Sequence, residues 1–205
     1  PSASAGSSSS PSASASDFDS TREISVVSRE DGSGTRGAFI ELFGIEEKGE
    51  DGTKTDKTTK EAAIANRTDV MLTNIAGNEY AIGYVSLGSL NETVKALKID
   101  GAEATAENVK NGTYKVSRPF NIATKGEPTS LAKDFINFIL SKEGQEVVSG
   151  DYIAVNDNAE AFKSDNSTGK IVIAGSSSVS PVMEKLVEAY KAINTGAEIE
   201  IQTND

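Results

Sequence analysis

The chain has 205 residues, enough for one large domain or two small ones with a buried core. Its composition, 37% hydrophobic and 25% charged, is typical of a soluble globular protein, and no apolar stretch approaches the roughly 20 residues of a membrane-spanning helix. A net charge of −11 argues against nucleic acid as a partner, and without His or Cys there is no Ser-His-Asp triad, cysteine nucleophile, disulfide or ordinary zinc site.

The amino-terminal segment, residues 1–16, consists almost entirely of Pro, Ala, Ser and Gly. A segment of this composition buries too little apolar surface to offset the entropy of ordering it. We therefore predict a disordered tether or an engineered linker over residues 1–16, with folded structure starting near Asp17. No signal peptide opens the sequence, so we expect that any export signal was removed or was never present.

A glycine-rich turn with charged and hydroxyl side chains follows the first apolar run. Ile24–Val27 predicts a strand and Gly37–Phe43 predicts a helix start, and between them Ser28–Arg36 has the sequence SREDGSGTR. Strand, glycine-rich turn and helix in this order aim several backbone N–H groups and the positive end of a helix dipole at one anion. The turn therefore predicts an oxyanion-binding site.

The side chains of the same turn suit that chemistry. Hydroxyl groups of Ser33 and Thr35 can donate hydrogen bonds, and either Arg29 or Arg36 can supply a planar guanidinium. The alternative interpretation is a simple helix cap with an arginine–aspartate pair on the surface. The residues of the turn alone leave both interpretations open.

Between residues 46 and 149 the local patterns predict short helices, strands and loops. The predicted helices are Thr58–Ala65, which begins with a Thr-x-x-Glu capping pattern, Thr105–Lys110, Ser130–Leu140 with Ser130 as its cap, and Lys142–Ser149. The predicted strands are Tyr80–Leu87 and Val94–Ile99, and the predicted extended segment is Tyr114–Thr124. The polar segment Glu46–Lys60 is predicted to be a surface loop, without the ligand spacing of a calcium-binding loop.

The last part of the chain predicts a complete β-α-β unit. Lys170–Ala174 and Ala197–Gln202 are typical of strands, and Pro181–Ile193 has the pattern of a helix. Two strands joined through a helix form a parallel pair with a right-handed crossover. The first strand leads into Gly175–Ser178, a second turn rich in glycine and hydroxyl groups. Two such turns facing each other would enclose a small tetrahedral anion.

Three segments together resemble the phosphate-binding protein of bacterial phosphate ABC transporters. They are Arg29–Thr35 (REDGSGT), Ile82–Val85 (IGYV) and Ile173–Pro181 (IAGSSSVSP). The resemblance implies an α/β fold of the type II periplasmic-binding-protein kind, in which two lobes close on dehydrated phosphate. We place the lobe that carries the arginine-containing turn at residues 17–113 and the other lobe at residues 114–205.

The resemblance also implies a role for each matching residue. Arg29 would form a charged fork on phosphate, and Asp31 would hold that arginine in place. Hydroxyl and amide groups of the other residues would donate hydrogen bonds from the two turns. The implied phosphate-binding residues are Arg29, Asp31, Ser33, Gly34, Thr35, Ser177, Ser178 and Val179.

The same resemblance implies a binding protein rather than an enzyme, with no cofactor and no metal. Its implied partners are inorganic phosphate and the membrane permease of the transporter, and its implied location is extracellular, cell-surface or periplasmic. A phosphotransfer enzyme is a weaker alternative, because the sequence contains no G-x-x-x-x-G-K-[ST] loop.

The order of segments departs from the pattern of this family. There the unit that resembles Lys170–Asp205 stands at the amino terminus, which predicts that this chain is circularly permuted. The family pattern then continues with a serine-containing turn and an aspartate, both of which are predicted to be missing here. That aspartate would accept a proton from hydrogen phosphate and so reject fully deprotonated sulfate.

Three explanations of this order are open: an engineered permutant with a deletion, one half of a split protein, or a recombined natural fragment. Because a cut sheet exposes strand edges, we also expect a complementing chain or self-association through those edges. The competing function is therefore a permuted scaffold or interaction module without useful phosphate affinity.

Overall fold

The computed structural model describes residues 18–203, so the linker predicted at residues 1–16 and the boundary predicted at Asp17 lie outside the described residues. The strands are β1 (Ser25–Arg29), β2 (Glu46–Lys48), β3 (Lys54–Asp56), β4 (Ala63–Ala65), β5 (Ala81–Ile82), β6 (Gly169–Gly175) and β7 (Ala197–Thr203). The helices are α1 (Gly34–Leu42), α2 (Thr68–Ala76), α3 (Ala106–Lys110), α4 (Ser130–Leu140), α5 (Lys142–Val148) and α6 (Ser180–Ile193). Within residues 18–203 none of the helices has the length and apolar character needed to cross a membrane.

A parallel sheet in the order β4-β1-β5 forms the amino-terminal part of the fold. β1 lies at its centre and pairs Arg29 with Ala65 at the carboxyl ends of β1 and β4. The buried side chains of Val27, Ala65 and Met71 pack together between this sheet and α2. Since ligands of open α/β sheets bind beyond the carboxyl ends of the strands, this topology places Arg29 at the edge where a site is expected.

The predicted β-α-β unit at the end of the chain is confirmed. β6 and β7 pair in parallel from Gly169–Ala197 to Gly175–Thr203, and α6 connects them. One face of this strand pair packs against α6 and α4, and α5 packs against both of these helices. Together these elements enclose the largest hydrophobic cluster of the described residues. Its buried members are Leu131, Phe135, Phe138, Ile139, Val182, Leu186, Val187, Tyr190 and Ala197.

A buried carboxylate ties the segment before β6 to this cluster. Asp134 on α4 is 2% exposed and accepts a hydrogen bond from the Tyr190 hydroxyl at 2.7 Å. It also accepts hydrogen bonds from Ser164 Oγ at 2.8 Å and from the Asp165 N–H at 3.0 Å. Burial raises the pKa of Asp134, but these hydrogen bonds outweigh burial and hold the pKa below its ordinary value. Burial, followed by the bond to Asp134, raises the pKa of Tyr190 to about 12.

The helix predicted at Thr58–Ala65 is wrong. Its last three residues, Ala63–Ala65, are strand β4, which pairs in parallel with β1. A capping pattern and helix-forming residues are local signals, whereas pairing with β1 is a long-range contact that overrides them. The helix of this region is α2, which the sequence patterns did not predict.

Predictions of extended structure also need correction. The strand predicted at Tyr80–Leu87 is reduced to β5, and Val94–Ile99 forms only an isolated bridge between Ile99 and Ala102. Tyr114–Thr124 joins no sheet among the described residues. The predicted loop Glu46–Lys60 contains the antiparallel pair of β2 and β3. In each case the deciding factor is whether a neighbouring strand is present, which the pattern along one segment does not reveal.

The predicted helices after residue 104 are confirmed as α3, α4 and α5. α3 follows Thr105, whose hydroxyl accepts a hydrogen bond from the Asn108 N–H at 3.2 Å. The cap of α4 is Thr129 rather than the predicted Ser130, since the Thr129 hydroxyl accepts from the Ala132 N–H at 3.2 Å. The cap prediction was therefore displaced by one residue.

Candidate functional site

The first glycine-rich turn has the predicted strand–turn–helix arrangement. β1 ends at Arg29, and α1 begins at Gly34 with Ser33 as its cap. The Ser33 hydroxyl accepts a hydrogen bond from the Arg36 N–H at 3.3 Å, and Ser33 is 4% exposed. Gly32 has a φ of 89°, a left-handed backbone conformation that favours glycine. The turn therefore presents the amino-terminal end of α1 beside the carboxyl end of β1.

Arg29 is the most buried charged side chain of this turn, at 1% exposure. Its guanidinium makes a bidentate pair with Glu30, at 2.8 Å from Nε to Oε2 and 2.7 Å from Nη2 to Oε1. Nη1 donates to Thr68 Oγ1 at 3.1 Å, and Nη2 donates to Ser177 Oγ at 3.1 Å. Arg29 thus links the first turn both to the start of α2 and to the second turn.

The predicted role of Asp31 in holding Arg29 is wrong. The Asp31 side chain is 97% exposed and pairs with Arg36 at 2.8 Å, while Glu30 makes the bidentate pair with Arg29. Arg29 is the last residue of β1 and its side chain reaches α2, whereas Asp31 lies in the turn on the side of α1. Arg36 in addition pairs with Asp56 at 2.8 Å and donates to the Arg29 carbonyl at 2.8 Å.

Asp56, the last residue of β3, is the second carboxylate that pairs with Arg36. Burial raises the pKa of Asp56, but hydrogen bonds from Thr58 and then from Arg36 outweigh burial and lower the pKa below its ordinary value. The alternative interpretation of the first turn, a helix cap with an Arg–Asp surface pair, is thus present as the Ser33 cap and the Arg36–Asp31 pair. It accounts for one side of the turn and leaves the buried Arg29 unexplained.

The second turn joins β6 to α6 and presents two hydroxyl groups to the first turn. Ser177 Oγ lies 3.1 Å from Arg29 Nη2 and 3.2 Å from Thr68 Oγ1. Ser178 is 2% exposed, and its hydroxyl shares a short hydrogen bond with the hydroxyl of Thr35. The two turns therefore face each other, which is the arrangement that the resemblance implies.

The backbone of the second turn is held by contacts of its own. The Val179 N–H donates to the Ser176 carbonyl at 3.0 Å, so this amide is already bonded inside the turn. The Ser178 carbonyl accepts a hydrogen bond from the Tyr152 hydroxyl at 2.6 Å. A Cβ atom added at Gly34 would lie 3.8 Å from Ser176 Oγ, so the backbone of the first turn also lies close to the Ser176 side chain of the second.

The structure thus brings together five of the predicted site residues and separates the rest. Arg29, Gly34, Thr35, Ser177 and Ser178 meet between the two turns. Ser33 lies at the edge of this group with its hydroxyl occupied as a cap, Asp31 faces solvent, and the Val179 amide is bonded within its own turn. Chemically, the group offers one guanidinium and several rotatable hydroxyl donors, which suit an oxyanion.

Three residues near this group were missed by the sequence predictions. Thr68 at the start of α2 is 8% exposed and contacts both Arg29 and Ser177, and only the helix-start pattern of α2 would have indicated it. The Tyr84 hydroxyl bonds to Ser28 Oγ at 2.9 Å and accepts from the Arg29 N–H at 3.1 Å, although its IGYV segment was noted. Arg118 donates to the Gly34 carbonyl at 2.6 Å, and no local pattern indicates this contact.

Comparison with known proteins places this arrangement in a family context. The family model described as a PBP superfamily domain matches residues 12–143. Phosphate-binding protein PstS 2 of Streptococcus agalactiae is 57% identical over 183 residues, which cover 89% of this chain and 62% of that protein. The chain therefore spans less than two thirds of the length of this relative.

Two solved structures are also similar. A crystal structure of a phosphate-binding protein of a phosphate ABC transporter from Streptococcus pneumoniae matches with a TM-score of 0.73 and 48% identity, covering 88% of this chain and 70% of that one. A putative phosphate ABC transporter substrate-binding protein from Clostridium perfringens, with bound phosphate, matches with a TM-score of 0.57 and 46% identity, covering 65% of this chain and 52% of that one.

The S. agalactiae match bears on the order of segments. It covers 183 residues of this chain, whereas only 169 residues precede Lys170. The match therefore extends into the unit formed by β6, α6 and β7. This chain and that streptococcal protein share the same order of segments in the matched region.

Proposed function

The chain belongs to the PBP superfamily, and on that premise we propose that it binds inorganic phosphate as the solute-binding component of a bacterial phosphate ABC importer. The observation that carries the proposal is the convergence of the Arg29 guanidinium with hydroxyl groups from two separate turns. Relatives named as phosphate-binding proteins support it, and one similar structure contains bound phosphate.

The proposed binding chemistry follows from the contacts of Arg29. The bidentate pair with Glu30 fixes the plane of the guanidinium before an anion arrives, which lowers the entropy lost on binding. Ser177 and Ser178 now bond to other side chains of the site, and their hydroxyls would rotate to donate to phosphate oxygens. Each charge-assisted hydrogen bond contributes roughly 1.5–3 kcal/mol, so several of them support tight binding after desolvation.

The proposed ligand set differs in part from the residues implied by sequence. Its members are Arg29, Gly34, Thr35, Thr68, Ser177 and Ser178. The Val179 N–H would join it only by exchanging its bond to the Ser176 carbonyl, whereas the Ser33 hydroxyl only accepts a hydrogen bond as a cap and keeps its O–H as a donor. Gly34 belongs to the set because it lacks a side chain and stands at the amino-terminal end of α1, where backbone N–H groups favour an anion.

We further propose the division into lobes at residues 17–113 and 114–205, with phosphate bound between their two turns. The proposed location is outside the cytoplasm, where a solute-binding protein meets the permease of its transporter. The proposed permutation is relative to family members outside the streptococcal group.

The competing proposal is a scaffold or interaction module without useful phosphate affinity. The observation that favours it is Glu30, whose carboxylate already neutralises Arg29 and lies beside the place proposed for an anion. A bidentate pair of this kind stabilises a fold even when no ligand binds. Titration separates the two functions directly.

The test is calorimetric titration with phosphate and sulfate at a pH near 7, using wild type, Arg29→Ala and Ser177→Ala. Arg29→Ala should abolish phosphate binding, and Ser177→Ala should weaken it by about tenfold while leaving the Arg29–Glu30 pair in place. Arg22→Ala serves as the control, since Arg22 stacks on Tyr80 at the other end of β1. Melting temperatures confirm that each variant is folded. Wild type that releases no heat with either anion would show the proposed function to be wrong.

A further inference from the structure

Arg118 reaches the first turn from a distant part of the chain. Its Nη2 donates to the Gly34 carbonyl at 2.6 Å, across a sequence separation of 84 residues. A Cβ atom built at Gly34 would lie 3.8 Å from Arg118 Nη2 and also 3.8 Å from Ser176 Oγ. The Arg118 guanidinium therefore lies beside Gly34, at the place where the first turn approaches Ser176 of the second turn.

Arg118 differs from the other arginines of the site in that no carboxylate in the described part of the chain pairs with its guanidinium. Arg29 pairs with Glu30, and Arg36 pairs with both Asp31 and Asp56. These five groups carry two positive and three negative charges, an unfavourable balance for an incoming anion. Arg118 has no ion-pair partner among residues 18–203, so its positive charge is not neutralised by a contacting carboxylate.

A short segment holds Arg118 in this position. Phe120 packs edge-on against Tyr152, with ring centroids 5.4 Å apart, and the Tyr152 hydroxyl donates to the Ser178 carbonyl at 2.6 Å. Arg118 contacts the first turn directly, while Phe120 contacts the second turn through Tyr152. Pro119 between them restricts the backbone, so the segment 118–120 spans both turns with limited freedom.

We propose that Arg118 is a second cationic residue of the anion site, which supplies the charge that the paired Arg29 does not, and so determines affinity for multiply charged anions. This inference rests on the proposed phosphate function. The Arg118 guanidinium is exposed and donates one N–H to the Gly34 carbonyl, and its remaining N–H groups are available to an anion where the two turns meet. Phosphate near neutral pH carries between one and two negative charges and therefore benefits from a cation that no carboxylate neutralises.

The experiment compares Arg118→Gln and Arg118→Lys with Arg22→Gln, which removes the same charge from the far end of β1. Phosphate dissociation constants are measured by calorimetry at several salt concentrations. Arg118→Gln should bind phosphate about tenfold more weakly, with a smaller dependence of affinity on salt, because it removes a positive charge that no carboxylate of the described residues neutralises and that solvent screens only in part. Arg118→Lys should retain most of the affinity, and Arg22→Gln should equal wild type.

Each other outcome has a definite meaning. Equal affinity and equal salt dependence in Arg118→Gln and Arg22→Gln would overturn the role of Arg118 and leave the proposed phosphate function standing. Equal weakening in Arg118→Gln and Arg118→Lys, with an unchanged salt dependence, would also overturn it, because the arginine would then act only through its bond to Gly34. Wild type that binds neither phosphate nor sulfate would refute both proposals together.

Discussion

The two hydrophobic clusters formed by residues 18–203 are built very differently. The cluster around α4, α6 and the β6–β7 pair contains three buried or half-buried aromatic rings in contact with Phe138: Phe135, Phe162 and Tyr190. The cluster behind β1 contains only Val27, Ala65 and Met71 as buried members. Next to it lie the buried polar side chains Ser28, Arg29 and Thr68.

This difference shows that the two parts of the molecule contribute differently to stability and to the candidate site. The amino-terminal part uses buried positions for a guanidinium and hydroxyl groups, which contribute little apolar burial and must all be hydrogen-bonded. The carboxyl-terminal part also buries polar side chains, such as Asp134 and Asn194, but surrounds them with a large aromatic cluster. We therefore expect the second turn to be held on a firm base, while the first turn belongs to a part that opens more easily.

The largest predicted effect tests the aromatic cluster. Phe138→Ala should lower the free energy of unfolding by about 4 kcal/mol, because it leaves a cavity lined by three aromatic rings. Met71→Ala, equally buried in the smaller cluster, should cost about 2–3 kcal/mol, since its neighbours are small and collapse more readily. Urea unfolding measures both variants. A greater loss of unfolding free energy in Met71→Ala than in Phe138→Ala would contradict the expected difference between the two clusters.

The same contrast explains which elements were predictable from sequence. The unit of β6, α6 and β7 was predicted because its strands, turn and helix are consecutive and its partners lie within it. β4 was mistaken for a helix because its partner β1 lies some 36 residues earlier, judging from the register of Val27 with Ala63. Elements that depend on distant partners are the ones that local patterns miss.

The candidate site follows the same rule. The pattern of the first turn predicted Thr35 and either Arg29 or Arg36, and the resemblance to phosphate-binding proteins selected Arg29 and implied Ser178. Their facing arrangement was implied by the same resemblance, because two similar strand–turn–helix elements do not by themselves fix where the two turns lie. The partner of Asp31 and the approach of Arg118 depend on where side chains and a distant segment come to lie, and no spacing in the sequence encodes either contact.

A second prediction concerns the buried carboxylate beside the aromatic cluster. Asp134→Asn should cost about 2 kcal/mol at pH 7, because the Tyr190 and Ser164 hydroxyls and the Asp165 N–H now donate to a charged acceptor. Folding lowers the pKa of Asp134. The stability that its carboxylate contributes is therefore fully present above its unfolded-state pKa of about 3.9, and is lost as the pH falls through its lower folded-state pKa. Wild-type stability should therefore decline on acidification below about pH 4.

Urea unfolding at pH 7 and at lower pH measures this contribution. The loss caused by Asp134→Asn should shrink as the pH falls, because the wild-type carboxylate is then protonated as well. Asp165→Asn is the control, since Asp165 is an exposed carboxylate of the same connecting segment. A constant difference between wild type and Asp134→Asn at every pH would mean that the neutral side chain is equivalent, and that this network contributes nothing through its charge.

The smallest predicted effect compares one helix cap from each part. Ser33 caps α1 beside the candidate site, and Thr129 caps α4 beside the aromatic cluster. Ser33→Ala and Thr129→Ala should each lower the free energy of unfolding by about 1 kcal/mol, because each leaves a helix N–H without its side-chain acceptor. Only Ser33→Ala should also weaken phosphate binding, since α1 presents its amino terminus to the site and α4 does not. If calorimetry finds that Ser33→Ala leaves phosphate affinity unchanged, as Thr129→Ala should, then the cap of α1 stabilises the fold alone and the anion contacts begin at Gly34.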